Sequence, residues 1–274
     1  MSPKSAPKWS SAAQTHVGMV RSLNEDAYLD LPHVGLWAVA DGMGGHEAGD
    51  VASRMLVDGL SQITRPGIED GTAFAESVKE KLREVNRRLR QESARRYGNR
   101  TIGSTVVIFL AVGGQGIGLW VGDSRLYRLR STRLEQLSRD HSHVQDLVDQ
   151  KLLTPEQAQS HPLGNVITRA VGSEEDLEVD EIRFDLQPGD VLLLCSDGLN
   201  KMVSDREIAE VLGGARDRAL VKPLIDLALE RGASDNVTAA VITVHDSEDD
   251  LTLVAGIDED EDDTTIIVDP TEED

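Results

Sequence analysis

The stretch 38-AVADGMGGHEAG-49 joins an apolar segment to a glycine cluster through a single carboxylate. Residues 34–40 are mostly apolar and predict a buried strand that ends at Asp41. Gly42, Gly44 and Gly45 fill three of the next four positions, and 46–63 then has helical spacing. Glycine lets a ligand or another segment of backbone approach closely. The stretch therefore predicts a strand, a tight site with a carboxylate at its edge, and a helix.

Four further aspartates stand in comparable surroundings, most of them beside an apolar run. They are Asp26 in RSLNED, Asp123 in VGDSR, Asp197 in LLLCSDGL and Asp235 in ASDNV. Carboxylates that converge in a fold raise one another's pKa and cost free energy unless a positive charge compensates them. Magnesium and manganese prefer such oxygen ligands, so one interpretation is a shared metal site. The other is a set of separate turn aspartates, since Asp-Gly is an ordinary turn signal. The pattern alone leaves both open.

Composition favours a globular protein of the reducing cytoplasm. The chain has 274 residues, 39% of them hydrophobic, and no apolar run long enough for a transmembrane helix. The N-terminal residues lack the apolar centre of a signal peptide. Cys195 is the only cysteine, which excludes an internal disulfide. Because it lies in an apolar strand-like run, which raises a thiol's pKa, Cys195 is a poor candidate nucleophile.

The charge is unevenly distributed. Of the 49 acidic residues behind the net charge of −21, Ser247–Asp274 holds 13 and no Lys or Arg; the other 246 residues carry 36 acids and 28 bases. Neither part has the basic field that nucleic-acid binding needs, and no membrane partner is indicated. We expect a flexible leader over 1–13, one domain over 14–246, and an acidic disordered tail over 247–274.

Periodicity predicts mixed helices and strands. Residues 72–97 are predicted to form an amphipathic helix, because their apolar side chains recur three to four positions apart. Further strands are predicted over 104–112, 116–122, 125–130, 179–186, 190–195 and 236–244, and helices near 141–160, 204–212 and 217–231.

Eight short elements occur in an order that resembles a known family. They are 21-RSLNED-26, 41-DGMGG-45, 102-IGST-105, 121-VGDSR-125, 140-DHS-142, 161-HPLGNVITRAVG-172, 196-SDGL-199 and 235-DN-236. This set is similar to the bacterial type 2C metal-dependent Ser/Thr protein phosphatases (the PPM family) over about residues 10–245. The resemblance implies an α+β fold, a four-layer α-β-β-α sandwich with two mostly antiparallel sheets. It also implies hydrolysis of phosphoserine and phosphothreonine in proteins, in opposition to a bacterial Ser/Thr kinase.

The resemblance also assigns roles at a binuclear Mn²⁺ or Mg²⁺ centre that activates water without a covalent phosphoenzyme. The implied metal ligands are Asp26, Asp41, Asp197 and Asp235, with Asp41 bridging both ions and the Gly42 carbonyl completing a shell. Asp123 matches a third, weaker ion position, shared with Asp197. Glu25 would hold a water bound to metal. Arg21 would grip the substrate phosphate, a role that suits a bidentate guanidinium.

One position departs from many eukaryotic relatives. Met43 stands where they carry a histidine that is a candidate general acid, so the leaving-group acid stays unassigned. His46 is an alternative acid, but a surface histidine at a helix start is the simpler interpretation. His141 and His161 have spacing unlike zinc ligands and are expected to make structural hydrogen bonds. Residues 143–168 correspond to a flap beside the site.

Arg169, just beyond that flap, is expected to be a structural ion-pairing residue. The acidic tail contains 262-DDTTIIVDP-270, in which Thr264 and Thr265 resemble phosphothreonine ligands of forkhead-associated domains. One hypothesis is that a partner kinase phosphorylates them and so recruits such a domain; the other is a solubilising tail.

The predicted enzyme is a monomer whose partners are phosphoproteins, including the cognate kinase. Two other functions stay open. One is a catalytically silent relative that binds phosphoproteins, which the intact aspartate set disfavours. The other is dephosphorylation of an anti-sigma-factor antagonist, which usually accompanies fused sensor modules.

Overall fold

The computed structural model describes residues 8–44, 48–64, 70–96, 98, 101–159, 161–214 and 220–246. Gly45, His46, the first seven residues and the acidic tail with Thr264 and Thr265 lie outside this range. Across the described helices, none is both long and apolar enough to cross a membrane.

Eleven strands form two antiparallel sheets in the described part of the chain. The strands are β1 (Lys8–His16), β2 (Asp26–Leu31), β3 (Leu36–Met43), β4 (Gly103–Ser104), β5 (Val106–Val112), β6 (Gln115–Val121), β7 (Arg125–Arg130), β8 (Arg133–Gln136), β9 (Asp180–Asp185), β10 (Val191–Cys195) and β11 (Val237–His245). The first sheet has the order β1-β11-β10-β7-β8, and the second has the order β2-β3-β5-β6-β9, with β4 paired to β3.

Helices cover the outer face of each sheet. The described helices are α1 (Ala48–Ser61), α2 (Gly71–Arg96), α3 (His143–Asp149), α4 (Pro155–Gln159), α5 (Asp197–Asn200), α6 (Asp205–Gly214) and α7 (Val221–Glu230). Of these, α1, α2, α6 and α7 supply most of the cover. One core lies between α1, α2 and the second sheet, a second between the two sheets, and a third between the first sheet and α6 and α7. The predicted four-layer α-β-β-α sandwich is therefore confirmed.

Local sequence explains the central elements. Every residue of β5 is buried, because this strand lies in a sheet covered by helices on one face and by the other sheet on its opposite face. A continuous apolar run is what such a strand requires. In α2, the buried positions include Phe74, Val78, Leu82 and Leu89, which follow the helical repeat that the sequence shows.

The leader predicted over 1–13 is wrong from residue 8 onward. Lys8–His16 pair with β11 over nine residues, from Lys8 opposite His245 to His16 opposite Val237. Apart from Trp9, the residues of this strand are small or polar, and most of the strand is half-buried, so it carries no clear apolar alternation. Backbone pairing with a strand more than 200 residues away orders them, and a local pattern does not report such pairing.

Candidate metal centre and active site

Five aspartates lie at one end of the sandwich, which favours the first of the two interpretations that the strand-end pattern left open. Asp26 begins β2, and Asp41 lies near the end of β3. Asp123 follows β6, Asp197 follows β10, and Asp235 precedes β11. After burial, the charges of all four others raise the pKa of Asp41, so the five carboxylates act on one another as one electrostatic cluster.

Asp26 and Asp41 are direct cross-strand neighbours, paired between antiparallel β2 and β3. Like charges in this arrangement destabilise a sheet. The IGST element fixes the backbone of Asp41: the Ser104 Oγ donates a hydrogen bond to the Asp41 carbonyl at 2.9 Å, and the Thr105 amide donates to the same oxygen at 2.9 Å. The position of Asp41 therefore depends on a segment more than 60 residues away.

Two hydroxyl groups hold the Asp26 carboxylate. Its Oδ2 accepts hydrogen bonds from Ser196 Oγ at 2.8 Å and from Thr238 Oγ1 at 2.7 Å. Both donors are completely buried, and Asp26 is 6% exposed. The first sheet thus orients an aspartate that belongs to the second, and the site lies where the two sheets meet.

The carboxylates are strained electrostatically. Burial, together with the charges of Asp197 and Asp235, raises the pKa of Asp26 to about 7, although its two hydroxyl partners act in the opposite direction. Burial and the charges of Asp197 and Asp140 raise the pKa of Asp123 to about 7. Burial and the neighbouring aspartates place the pKa of Asp41 well above its ordinary value. A cluster of this kind favours protons or cations.

A loop before β2 brings Arg21 to the mouth of the cluster. Arg21 Nη2 donates to Asp235 Oδ2 at 2.9 Å, and this hydrogen bond is the main reason why the pKa of Arg21 is raised. Asn236 holds the loop: its Nδ2 donates to the carbonyls of Val17 and Leu23, and its Oδ1 accepts from the Glu25 amide at 2.8 Å. With 51% of its side chain exposed, Arg21 is accessible to a substrate.

Gly42 is required by close packing of the backbone. A Cβ at this position would lie 2.0 Å from the Gly49 carbonyl oxygen and 2.6 Å from that of Glu25. The Gly42 amide also donates to the Glu25 carbonyl at 3.0 Å. The missing side chain therefore lets α1 and the Glu25 loop meet β3, a close approach of backbone to backbone.

Glu25 presents a buried oxygen to this junction. Its Oε1 has no hydrogen-bond partner among the residues that the structure describes, and burial is the main cause of its raised pKa. An unpartnered buried carboxylate oxygen needs a water molecule or an ion to satisfy it.

Two cations approach the aspartates in the described structure: Arg21 pairs with Asp235, and Lys201 pairs with Asp197. Over the same residues, no three His, Cys, Asp or Glu side chains are close enough together to form a ready-made ligand set. The donors nevertheless fit hard divalent cations, because they are carboxylate oxygen atoms and share one electrostatic cluster.

Several residues that the sequence analysis considered make structural contacts outside the aspartate cluster. His141 Nδ1 accepts from the Gly122 amide at 3.1 Å, as expected of a structural histidine, and His161 Nδ1 accepts from the Leu163 amide at 3.2 Å. Arg169 pairs with Asp180 at 2.9 Å, which confirms the predicted ion pair. Cys195 is fully buried, and burial raises its thiol pKa to about 12, which agrees with its exclusion as a nucleophile.

Sequence reasoning missed the residues that position the cluster. Ser196 and Asn236 belong to the SDGL and DN elements, and Thr238 lies in the strand predicted over 236–244, but nothing in their spacing indicated their partners. Lys201 was also missed, although it stands four residues after Asp197, the spacing of an ion pair on a helix.

Comparisons with known proteins agree on one family. A family model described as protein phosphatase 2C matches residues 16–239. The solved structure described as PppA, a key regulatory component of T6SS in Pseudomonas aeruginosa, is 49% identical, with a TM-score of 0.80 over 87% of this chain and 99% of that one. The catalytic domain of the serine/threonine protein phosphatase PstP, solved in complex with two manganese ions, is 34% identical, with a TM-score of 0.79 over 88% of this chain and 100% of that one.

A further relative is the whole serine/threonine protein phosphatase PstP of Mycobacterium tuberculosis. It is 37% identical over 235 residues, which are 86% of this chain and 45% of that protein. The chain therefore spans less than half the length of this relative.

Proposed function

The chain belongs to the protein phosphatase 2C family, and from that premise we propose that it hydrolyses phosphoserine and phosphothreonine in proteins. The proposed centre holds two Mn²⁺ or Mg²⁺ ions between Asp26, Asp41, Asp197 and Asp235, with Asp41 shared by both ions and the Gly42 carbonyl as a further ligand.

The observation that carries this proposal is the direct cross-strand pairing of two carboxylates. Asp26 and Asp41 face each other across two strands, and burial and mutual repulsion disfavour their ionised forms. Divalent cations would compensate these charges. The manganese complex of the PstP catalytic domain supports the choice of metal.

When bound, such ions would lower the pKa of water and draw charge from the phosphoryl oxygens. The chain's own residues bind the phosphate, hold a water molecule and orient the metal ligands. Arg21 binds the phosphate through its guanidinium, which is accessible and lies beside Asp235. Glu25 offers its unpartnered Oε1 to a water molecule at the junction of β3 and α1. Ser196 and Thr238 keep the Asp26 carboxylate in a fixed orientation.

The proposed substrates are phosphoproteins, among them a Ser/Thr kinase that this enzyme opposes. The 49% identity to PppA also supports a role in regulating a T6SS. Phosphoproteomics of the wild-type strain, a strain that lacks the gene and a strain carrying Asp41→Asn would identify the substrates. Sites that carry more phosphate in both altered strains than in the wild type are the ones the enzyme acts on.

The first test is hydrolysis of p-nitrophenyl phosphate and of a phosphothreonine peptide, with and without Mn²⁺. The wild type should turn over both substrates only with the metal. Asp41→Asn and Asp235→Asn should abolish turnover. Asp226→Asn, a surface change on α7, and Cys195→Ala should retain it.

Two results would contradict the proposal. One is an absence of turnover by folded wild-type protein supplied with Mn²⁺, which would favour the silent phosphoprotein binder if the peptide still bound. The other is full activity of Asp41→Asn.

A further inference from the structure

Lys201 is a cation built into the aspartate cluster. It follows directly after the short helix α5, which begins at Asp197, and its amide donates to the Asp197 carbonyl at 3.0 Å. Its ammonium group pairs with Asp197 Oδ2. The Lys201 side chain is 32% exposed and that of Asp197 only 14%, so the pair lies at the edge of the site and is partly shielded from water. Backbone and side chain together hold Lys201 over Asp197.

The same ammonium group also lies within electrostatic reach of Asp123. Asp197, Asp123 and Asp41 all raise the pKa of Lys201, and Lys201 in turn lowers that of Asp123. Arg125, the cation nearest to Asp123 in sequence, forms a bidentate pair with Asp140 instead, at 3.0 Å and 2.7 Å. Lys201 therefore lies where the charges of Asp123 and Asp197 converge.

We propose that the Lys201 ammonium takes the place of a third divalent cation between Asp123 and Asp197, so that this chain binds two ions in its active site and not three. The inference rests on the proposed two-metal function. An ammonium is a compact positive charge with three hydrogen-bond donors, which suits it to bridge two carboxylates. A divalent cation in the same place would be repelled by it at short range. The third ion that the sequence predicted at Asp123 is the alternative.

The test counts the ions that the full-length protein binds. Mn²⁺ is titrated into metal-free wild type, Lys201→Gln and Lys222→Gln, with bound ions measured by equilibrium dialysis and by calorimetry. Lys222 is the matched control, because it also pairs with an aspartate four residues away, Asp226, but at the surface of α7. Weak binding elsewhere on the acidic chain is common to all three proteins and cancels in the comparison.

We expect two tightly bound ions in wild type and in Lys222→Gln, and three in Lys201→Gln. The third ion should disappear again in Lys201→Gln combined with Asp123→Asn, because only Asp123 and Asp197 would hold it. Three ions in the wild type, or an unchanged count in Lys201→Gln, would overturn the inference.

A second variant keeps the test decisive if Lys201→Gln fails to fold. Asp123→Asn alone should leave the number of bound ions unchanged, since the proposal assigns Asp123 no metal; loss of one ion would refute the proposal. Wild type that binds no Mn²⁺ and shows no turnover would refute the proposed function itself. Two ions with turnover, but no gain in Lys201→Gln, would refute only the role of Lys201.

Discussion

Asp26 and Asp41 lie directly opposite each other on β2 and β3, and in the described structure neither has a basic side chain as its hydrogen-bond partner. Opposed carboxylates destabilise an antiparallel pair. The fold therefore keeps an unfavourable arrangement at its edge, and this arrangement governs how the protein should respond to pH and metal.

Metal-free protein should lose stability as the pH rises from about 4 to about 7. Asp26 has a pKa of about 7 when folded, against an ordinary value of 3.8. Between these values the folded state keeps a proton that the unfolded state has released, so unfolding becomes more favourable as pH rises, by about 1.4 kcal/mol per pH unit for each such proton. Urea unfolding in EDTA at several pH values measures this slope.

Added Mn²⁺ should restore stability at pH 8, where the carboxylates are ionised. Asp41→Asn should flatten the pH dependence of the metal-free protein. This comparison also separates the carboxylates from His141, whose lowered pKa acts in the opposite direction. Metal-free stability that rises over this pH range in wild type and variant alike would show that the aspartates are not strained.

Thr238→Val should weaken Mn²⁺ binding by about 10- to 100-fold, the usual effect of removing a group that orients a metal ligand. The variant keeps the size of the side chain but removes the 2.7 Å hydrogen bond to Asp26. Calorimetric titration measures the affinity. Thr243→Val, on the same strand but half-buried away from the cluster, is the control. Equal affinities in the two variants would contradict a positioning role for Thr238.

Arg21→Lys should lower kcat/KM by about 10- to 100-fold, or about 1.4–2.8 kcal/mol, because lysine keeps the charge but loses the bidentate grip on phosphate. Mn²⁺ affinity should not fall, since Arg21 competes with cations for Asp235. Steady-state kinetics and titration together test both statements. Arg206→Lys, in an exposed ion pair on α6, should behave as wild type. Wild-type kinetics in Arg21→Lys would exclude phosphate binding by this residue.

Asp140→Asn should cost about 3–5 kcal/mol of stability, as expected when one partner of a buried ion pair is removed. Asp140 accepts three hydrogen bonds from Arg125, which also donates to Tyr127 OH at 2.8 Å. Denaturant unfolding of the Mn²⁺-loaded protein measures the loss. The surface change Asp226→Asn should cost about 0–1 kcal/mol. A loss below 1 kcal/mol for Asp140→Asn would show that the pair is dispensable.

The sequence by itself determined the elements whose side chains are covered on a regular face. The apolar run of β5 and the helical repeat of α2 were evident, because burial selects residues at fixed spacing. It also located the aspartates at strand ends, and the order of the motifs indicated the family. These features are local, so a linear pattern records them.

Only the tertiary structure decided what surrounds those aspartates. Ser196 and Thr238 reach Asp26 across 170 and 212 residues of chain, and β1 is ordered by a strand at the other end of the domain. Lys201 is close to Asp197 in sequence, but its approach to Asp123 depends on how β6 and β10 bring their ends together. Hydrogen bonds and charge pairs between distant segments leave no periodic trace in the sequence, because a single polar residue satisfies each of them.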